Sequence, residues 1–425
     1  MSRPQAQTTQ DVEALWRKAQ AHGLSRRRFL GLLSSGGTAA VLGVCAGIAV
    51  AAAEKAGSKA GGMITTPAGE RLHVQPDTEP FFIPHGTNAE MRWGLGARDD
   101  CFVMDTGQFY IRNHGATPII DHTQWRLRIE GSAVKKPLAL GYDDLVALPS
   151  STLTRFIECA GNARSFYAKF LGRPGQGTQW LLGGYGVASW TGVALAEILD
   201  RAGVTRSAVS IMASGLDTSG FKKATPIDKA MADDTLVVYG MNGAPLPYDH
   251  GFPARLLVPG WLGSFNVKWL GSIEVADEQL WSKWNTSSYV LIGPDYEDPE
   301  GPPEGELIYW QTMKSAVALP WPATLKPGQQ RVRGYAWSPH ARIAKVEISL
   351  DGGNGYQPAE LIEPNIAAAG VRWAFTLDAQ PGLKTITPRA SDEKGNRQWP
   401  ISEQVWNKKG YIWGAVVPHP VEVAP

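Results

Sequence analysis

The sequence predicts an α+β domain followed by a β-sandwich. Segments that alternate between apolar and polar residues recur along the chain, and Gly, Pro, Asp and Asn separate them, as is typical of strands joined by loops. Helix-like patterns are short and occur only in the first two thirds of the chain. The 425 residues include 47 Gly, 30 Pro and 16 Trp, a composition that favours a loop-rich, largely β protein over a helical bundle.

The first domain combines short strands with short helices. Residues 125–131 and 152–159 have the alternation of strands. Residues 142–148 and 193–202 have apolar positions at helical spacing. Residues 54 to about 110 contain several prolines and no strong period, so we expect irregular structure there. Further strands are predicted at residues 208–213, 235–239, 254–258 and 267–275.

The last third of the chain differs from the first two thirds in its sequence pattern. Residues 294–305 are dense in Pro, Gly, Asp and Glu, which is typical of a connecting loop. Residues 331–337 and 345–350 then alternate, and turn residues follow them with no helix pattern. Such strands predict a β-sandwich. We therefore divide the chain into a leader at residues 1–53, a first domain at residues 54–309 and a sandwich at residues 310–425.

The leader resembles a twin-arginine export signal. Three arginines at residues 26–28 precede an uncharged stretch at residues 29–53, whose last positions are small enough for a cleavage site. The alternative is a membrane anchor, but the many Gly and Ala make the stretch a poor transmembrane span. We therefore expect export to the periplasm in the folded state, with no stable membrane anchor.

Net charge argues against nucleic acid as a partner. The formal net charge is +1, and the six basic and two acidic side chains of residues 1–53 leave the rest of the chain with a net charge of −3. A protein with no basic surplus lacks the electrostatic footprint of a nucleic-acid-binding protein.

The three cysteines limit the redox chemistry that the chain itself can perform. Cys45 lies in the leader, which leaves Cys101 and Cys159 in a processed chain. The spacings that bind haem covalently, zinc or iron–sulfur clusters are absent from the sequence. Any electrons that this protein moves must therefore enter or leave through another molecule.

The segment around Cys159 is the most informative in the chain. Cys159 follows a β-type run and precedes small residues that would let the backbone approach a bulky ligand. Arg164, five residues later, would favour the thiolate, the form of cysteine that binds metals or attacks as a nucleophile. From the residues alone, Cys159 is a candidate reactive or metal-bound cysteine. The alternative is a buried, inert thiol, which is what we expect of Cys101.

Four motifs together resemble the sulfite oxidase family of molybdopterin enzymes. Residues 159–164, C-A-G-N-A-R, resemble that family's molybdenum-ligand loop. Residues 109–114, F-Y-I-R-N-H, are similar to its F-x-x-R-N-H segment, and residues 250–255, H-G-F-P-A-R, to its H-G-F-P-x-R segment. Residues 266–271, N-V-K-W-L-G, resemble the strand that completes its pocket. The four motifs occur in the family's order, which makes the set far more specific than any one of them.

The resemblance implies a fold and a cofactor. The fold is a sulfite-oxidase-type mixed molybdopterin domain followed by an immunoglobulin-like β-sandwich that mediates dimerisation. The cofactor is one molybdenum–molybdopterin per chain, with Cys159 as the protein's ligand to the metal and no haem in this chain. Soft sulfur ligands suit a redox-active transition metal, and the cofactor's phosphate suits basic side chains. The implied cofactor-binding residues are Tyr110, Ile111, Arg112, Asn113, His114, Cys159, Asp217, His250, Arg255, Asn266, Val267 and Lys268.

The resemblance also implies substrate-site residues. Arg112 and Arg164 would hold an anionic sulfur substrate by charge-assisted hydrogen bonds, Tyr289 corresponds to the family's active-site tyrosine, and Trp180 matches an aromatic wall of the pocket. Two positions depart from the family pattern. Ala163 stands where a second arginine is frequent, and Lys409 stands where sulfite oxidases have an arginine that binds oxyanions bidentately.

Within the family, the likeness to its sulfane dehydrogenase branch is greatest, through residues 62–71 and 310–315. This branch oxidises sulfane sulfur bound to a carrier-protein cysteine, takes oxygen from water and passes electrons to a partner c-type cytochrome. We therefore expect a homodimer within a larger complex. A periplasmic sulfite:cytochrome c dehydrogenase is the first alternative, and a reductase, for instance of sulfoxides, is the second. A secreted binding module without metal is the alternative from a different class.

We expect Cys159→Ser to abolish turnover while the fold is retained, because a hydroxyl is a poor substitute for a thiolate on molybdenum. Steady-state turnover and circular dichroism of the purified variant measure the two effects separately. Turnover near that of the wild type would contradict the assignment of Cys159.

Overall fold

The computed structural model describes residues 64–65, 71–72, 82–92 and 102–424 of the chain. The leader at residues 1–53, with Cys45, lies outside this range, and so does Cys101. Among the helices of the described residues, none is both long enough and apolar enough to cross a membrane.

Short helices and many strands make up the first part of the chain. The helices are α1 (Tyr142–Val146), α2 (Ser165–Leu171), α3 (Leu195–Arg201), α4 (Ile227–Ala230) and α5 (Lys283–Thr286). The strands up to residue 307 are β1 (Ile64–Thr65), β2 (Arg71–Leu72), β3 (Phe82–His85), β4 (Asn88–Met91), β5 (Leu127–Glu130), β6 (Leu138–Leu140), β7 (Ser151–Glu158), β8 (Tyr185–Ala194), β9 (Ser210–Gly215), β10 (Lys222–Pro226), β11 (Leu236–Met241), β12 (Ala244–Pro245), β13 (Arg255–Leu257), β14 (Leu270–Ala276), β15 (Val290–Leu291) and β16 (Glu306–Leu307).

Two five-stranded sheets frame this part of the molecule. One has the strand order β10-β9-β14-β5-β6, and the other has the order β12-β11-β8-β7 with β13 also paired to β11. The pairing of β14 with β5 is parallel, whereas the other pairs in these sheets are antiparallel. An apolar cluster that includes Ile129, Leu256 and Ile273 packs between elements of both sheets. The mixed α+β prediction is therefore confirmed.

The structure corrects several local predictions. Strands β3 and β4 form a hairpin inside the region predicted to be irregular, with Gly86 in the left-handed conformation (φ +67°) at its turn. Four residues per strand are too few to show a period in the sequence. Strand β8 was not predicted because it is buried on both faces and therefore does not alternate. It runs through Ala194, so the helix predicted at residues 193–202 begins later, at Leu195.

The C-terminal part is a two-sheet sandwich, as predicted. Its strands are β17 (Lys314–Val317), β18 (Ala323–Leu325), β19 (Gly328–Trp337), β20 (Ile343–Ser349), β21 (Gln357–Pro358), β22 (Glu360–Ile366), β23 (Gly370–Ala379), β24 (Thr385–Asp392) and β25 (His419–Val423). One sheet has the order β17-β19-β23-β22 and the other has the order β18-β25-β24-β20-β21. Apolar side chains that include Val346, Trp373 and Ile386 fill the space between them.

The sandwich contacts the first part of the chain at strand β7 and the loop after it. The backbone N–H of Phe156 donates to the carbonyl of Ala368 at 2.9 Å, and that of Ile412 donates to the carbonyl of Ala160 at 2.9 Å. The ring of Tyr185 stacks on that of Trp337 with centroids 3.9 Å apart. The loop that carries Cys159 is therefore held by both parts of the protein. The boundary placed at residue 310 stays a prediction.

Candidate active site

A cleft opens beside Cys159. Of the cofactor-binding residues that the sequence predicted, all except Ile111 line it, and so does Tyr289. The complete lining is Phe109, Tyr110, Arg112, Asn113, His114, Ile157, Cys159, Ala160, Asp217, Phe221, His250, Arg255, Gly263, Ser264, Asn266, Val267, Lys268, Trp269 and Tyr289. The four sequence motifs, which span more than 150 residues of chain, thus converge on one cavity.

Strand β7 delivers Cys159 to this cleft. The strand ends at Glu158, and the backbone N–H of Cys159 then donates to the carbonyl of Gly184 at 2.8 Å. Cys159 is a free thiol with 8% of its surface exposed. Gly263 packs against the same turn so closely that a Cβ there would lie 2.6 Å from the carbonyl oxygen of Glu158. The backbone on which the thiol stands is therefore tightly confined.

Arg112 faces the thiol. Burial acts to lower the pKa of its guanidinium, but Tyr289 and Cys159 act in the opposite sense and the net effect raises the pKa. A hydrogen bond between the side chains of Arg112 and Cys159 also raises the pKa of Arg112. The cleft therefore places a cysteine sulfur beside a guanidinium, and cysteine sulfur is a ligand for soft transition metals.

Two further basic side chains, Arg255 and Lys268, line the cleft. Arg255 is 4% exposed and donates to the carbonyls of His250 at 3.0 Å and Asn266 at 3.1 Å, while burial lowers its pKa to about 10. Lys268 donates to the side-chain oxygen of Asn113 and to the carbonyl of Asp249. Burial, followed by repulsion from Arg255, lowers the pKa of Lys268 well below its ordinary value.

None of the three cations Arg112, Arg255 and Lys268 forms an ion pair with a carboxylate of the described residues. The Nε of Arg255 and the hydroxyl of Ser264, which also lines the cleft, are buried with no hydrogen-bond partner among those residues. Buried charge without a partner is costly. An anionic ligand with several acceptor oxygens would offset this cost, so these residues fit a phosphate-bearing cofactor that also offers a metal to Cys159.

Tyr289 has an immediate hydrogen-bond partner in the cleft. Its hydroxyl lies 3.1 Å from Nε2 of His114. Burial, together with the charges of Arg112 and Lys268, lowers the pKa of His114 to about 2, so this imidazole is neutral. Burial likewise raises the pKa of Tyr289. The pair is therefore a neutral hydrogen-bonded couple at the cleft wall, able to hold a proton without carrying charge.

Three of the predicted residues do not line the cleft but lie behind the residues that do. The guanidinium of Arg164 donates to the carbonyls of Thr178 at 2.7 Å and Lys409 at 2.8 Å. Trp180 stands edge-on to Tyr110, with centroids 6.1 Å apart. The backbone of Ile111 pairs with that of Ala89 in the hairpin β3–β4. The roles predicted for Arg164, Trp180 and Ile111 stay predictions.

Arg164 nevertheless remains close to the reaction site. Its guanidinium lies 5.2 Å from the ring centroid of Tyr411, and that ring stacks on Tyr289 at 5.3 Å. Both positions that depart from the family pattern also lie outside the lining. Ala163 is fully buried in an apolar cluster at φ +74°, and Lys409 is half-buried.

Two supporting residues were missed by the sequence reasoning. The side-chain oxygen of Asn88, in the hairpin, accepts from the backbone N–H of Asn113 at 2.6 Å. Lys223 is 1% exposed, donates to the carbonyl of Trp284 and lies 5.0 Å from the ring centroid of Tyr289. Neither residue lies in a sequence motif, and the sequence around Lys223 does not distinguish a buried lysine from an exposed one.

Comparisons with known proteins agree with this geometry. Residues 114–284 match the family model "Oxidoreductase molybdopterin binding domain" and residues 306–417 match "Mo-co oxidoreductase dimerisation domain". The mitochondrial sulfite oxidase of Macaca fascicularis is 33% identical over 344 residues, which is 76% of this chain and 62% of that protein. The sulfite oxidase of Gallus gallus is 32% identical over 329 residues, which is 73% of this chain and 71% of that protein. The chain therefore belongs to the sulfite oxidase family of molybdopterin oxidoreductases.

A solved structure indicates which branch of that family this chain resembles. The sulfane dehydrogenase SoxCD from Paracoccus pantotrophus matches with a TM-score of 0.71 and 26% identity, over 87% of this chain and 97% of that one. The chain spans 62% of the length of the macaque sulfite oxidase. The predicted membership of the family and the likeness to its sulfane dehydrogenase branch are confirmed.

We expect Lys223→Met to change the pH dependence of stability. Burial lowers the pKa of Lys223 to about 7, whereas in the unfolded chain it is about 10.4. Below pH 7 both states are protonated and the folded state bears the full desolvation cost. Between about pH 7 and pH 10 the unfolded state binds more protons, so this cost falls as pH rises.

The wild type should therefore gain stability relative to Lys223→Met across that window, by at most about 1.4 kcal/mol per pH unit. Urea unfolding of both cofactor-free chains at several pH values measures the difference. A difference in unfolding free energy that stays constant from pH 6 to pH 10 would contradict the lowered pKa of Lys223.

Proposed function

We propose that this protein is a molybdenum-dependent enzyme that oxidises sulfane sulfur bound to a carrier-protein cysteine. Oxygen comes from water, and electrons pass to a partner c-type cytochrome. The observation that carries the proposal is the free thiol of Cys159 in a cleft that is also lined by three basic side chains, of which Arg255 is buried and Arg112 and Lys268 are half-buried. That combination suits a cofactor that offers both a soft metal and a phosphate.

The residues divide the task of holding the cofactor. Cys159 would supply the protein's thiolate to the metal, while Arg255 and Lys268 would bind the phosphate, with His250 beside them. When bound, the molybdenum–pterin group supplies two-electron redox chemistry. Each oxidation adds one oxygen atom from water to the terminal sulfur and releases two protons and two electrons.

The chain's own side chains would manage charge and protons around that chemistry. Arg112, half-buried beside Cys159, would attract the anionic terminal sulfur and hold it by charge-assisted hydrogen bonds. The hydroxyl of Tyr289, bonded to the neutral imidazole of His114, would hold a proton at the cleft wall. Because most of the residues that line the cleft are buried, water screens these interactions less than it would at an open surface.

Two observations favour a protein-borne sulfur over free sulfite. The similar solved structure is a sulfane dehydrogenase. In addition, the hydrogen bonds of the Arg164 guanidinium go to backbone carbonyls, and Lys409 lacks the planar fork that binds an oxyanion bidentately. The second candidate function, a periplasmic sulfite:cytochrome c dehydrogenase, is favoured by the 33% identity to a sulfite oxidase.

The proposal also covers the cellular compartment of the protein and its oligomeric assembly. The arginines at residues 26–28 and the small-residue stretch after them support export of the folded protein to the periplasm. The match of residues 306–417 to a dimerisation domain supports a homodimer through the sandwich. The likeness to SoxCD supports a larger complex, in which the partner would be the c-type cytochrome.

The test compares two substrates with the cofactor-loaded protein and c-type cytochrome as the electron acceptor. One substrate is a carrier protein with a persulfide on its cysteine, and the other is free sulfite. We expect kcat/KM for the carrier to exceed that for sulfite by about tenfold or more, equivalent to about 1.4 kcal/mol in transition-state binding. The cofactor-free chain is the control. A higher kcat/KM for sulfite would overturn the sulfane proposal in favour of the second candidate.

A further inference from the structure

The junction segment, residues 310–315, lies between the two parts of the protein and contacts the end of strand β7. The sequence singled out this segment only as a feature of one family branch. In the structure, the side-chain amide of Gln311 donates to the backbone carbonyl of Glu158 at 2.6 Å. The ammonium group of Lys314 lies 2.9 Å from the carboxylate of Glu158. The segment thus holds the residue that directly precedes Cys159.

The carboxylate of Glu158 is fully buried and bound by three donors. Its Oε1 accepts from Lys314 at 2.9 Å and from the side-chain amide of Asn162 at 2.9 Å. Its Oε2 accepts from the indole N–H of Trp337 at 2.9 Å. The side chains of Glu158 and Lys314 are 0% and 2% exposed. Two of the three donors belong to strands of the sandwich, and the third belongs to the cysteine loop itself.

The same loop is fixed from its other side. The side-chain oxygen of Asn162 accepts from the backbone N–H of Gly184 at 3.0 Å, and the carbonyl of Ala160 accepts from the N–H of Ile412 at 2.9 Å. Because each group is buried, loss of any one bond leaves a polar group unsatisfied. Loss of Lys314 would leave a buried carboxylate without its counter-charge, which is more costly still. In this arrangement the carboxylate of Glu158 and the side-chain amide of Asn162 both have hydrogen-bond partners.

We propose that Glu158, Lys314 and Trp337 are positioning residues through which the sandwich sets the orientation of the Cys159 thiolate. This inference rests on the proposed function, because it assumes that Cys159 is the metal ligand. In addition to any part in dimerisation, the sandwich would then fix the thiolate by which the protein would hold the metal. A change at Lys314 should consequently be detected at the metal.

Lys314→Met is the first test, with Lys229→Met as the control. Lys229 forms an ion pair with Asp234 at 2.7 Å, with the lysine side chain 12% and the aspartate side chain 37% exposed, and it belongs to helix α4 and not to the cysteine loop or the sandwich. Trp337→Phe is a second variant, which removes one donor and keeps the ring that stacks on Tyr185. The readouts are the Mo(V) electron paramagnetic resonance spectrum of the loaded protein and the alkylation rate of Cys159 in the cofactor-free chain, followed by peptide mass spectrometry.

We expect K314M and W337F to shift the Mo(V) g values, and K314M to raise the alkylation rate by about tenfold or more through local opening of the loop. K229M should change neither. The double variant E158Q/K314Q, in which two neutral amides face each other, should return both readouts toward the wild type.

A wild-type spectrum and alkylation rate in both K314M and W337F would overturn the inference. If K314M fails to fold, W337F alone decides it by the same criteria. If the wild-type protein contains no molybdenum, the proposed function fails, and the alkylation rates still decide whether these residues position the loop.

Discussion

The structure depends on one constraint, namely the concentration of basic side chains around Cys159. Arg112, Arg255 and Lys268 all line a single cleft, and among the described residues their hydrogen bonds go to backbone carbonyls, to one amide oxygen and to the side chain of Cys159. Such an arrangement costs folding free energy, which a bound anion would offset. The fold around the cleft can be understood as the means of holding these charges in place until an anion binds.

Each part of the fold contributes to that task. The two sheets of the first part bring the motifs at residues 109–114, 159–164 and 250–271 to one cavity. The sandwich closes over strand β7 and binds the carboxylate of Glu158 beside the cysteine. Function and assembly are therefore connected physically, because the domain that matches a dimerisation module also contacts the loop that carries the thiol.

The sequence was sufficient for the fold class and for most of the cleft, because motif residues are recognisable wherever they stand in the chain. It was insufficient where tertiary packing determines whether a residue is buried and which groups it contacts. Arg164 lies in the cysteine motif, yet its guanidinium is bound by carbonyls from two distant loops. Lys223 and Lys314 have no local pattern that distinguishes them from surface lysines, and only the fold buries them. Strand β8 escaped prediction because burial on both faces removes the alternation by which strands are recognised.

The most direct test of the account is a measurement of molybdenum and pterin in the exported protein, matured by a host that is competent in pterin synthesis. The basic side chains of the cleft and the thiol of Cys159 predict about one molybdenum and one pterin per chain. Protein that is exported from such a host with neither would contradict the account, since the cleft would then not bind the cofactor inferred from it. In that case a binding module without metal would become the better description of this chain.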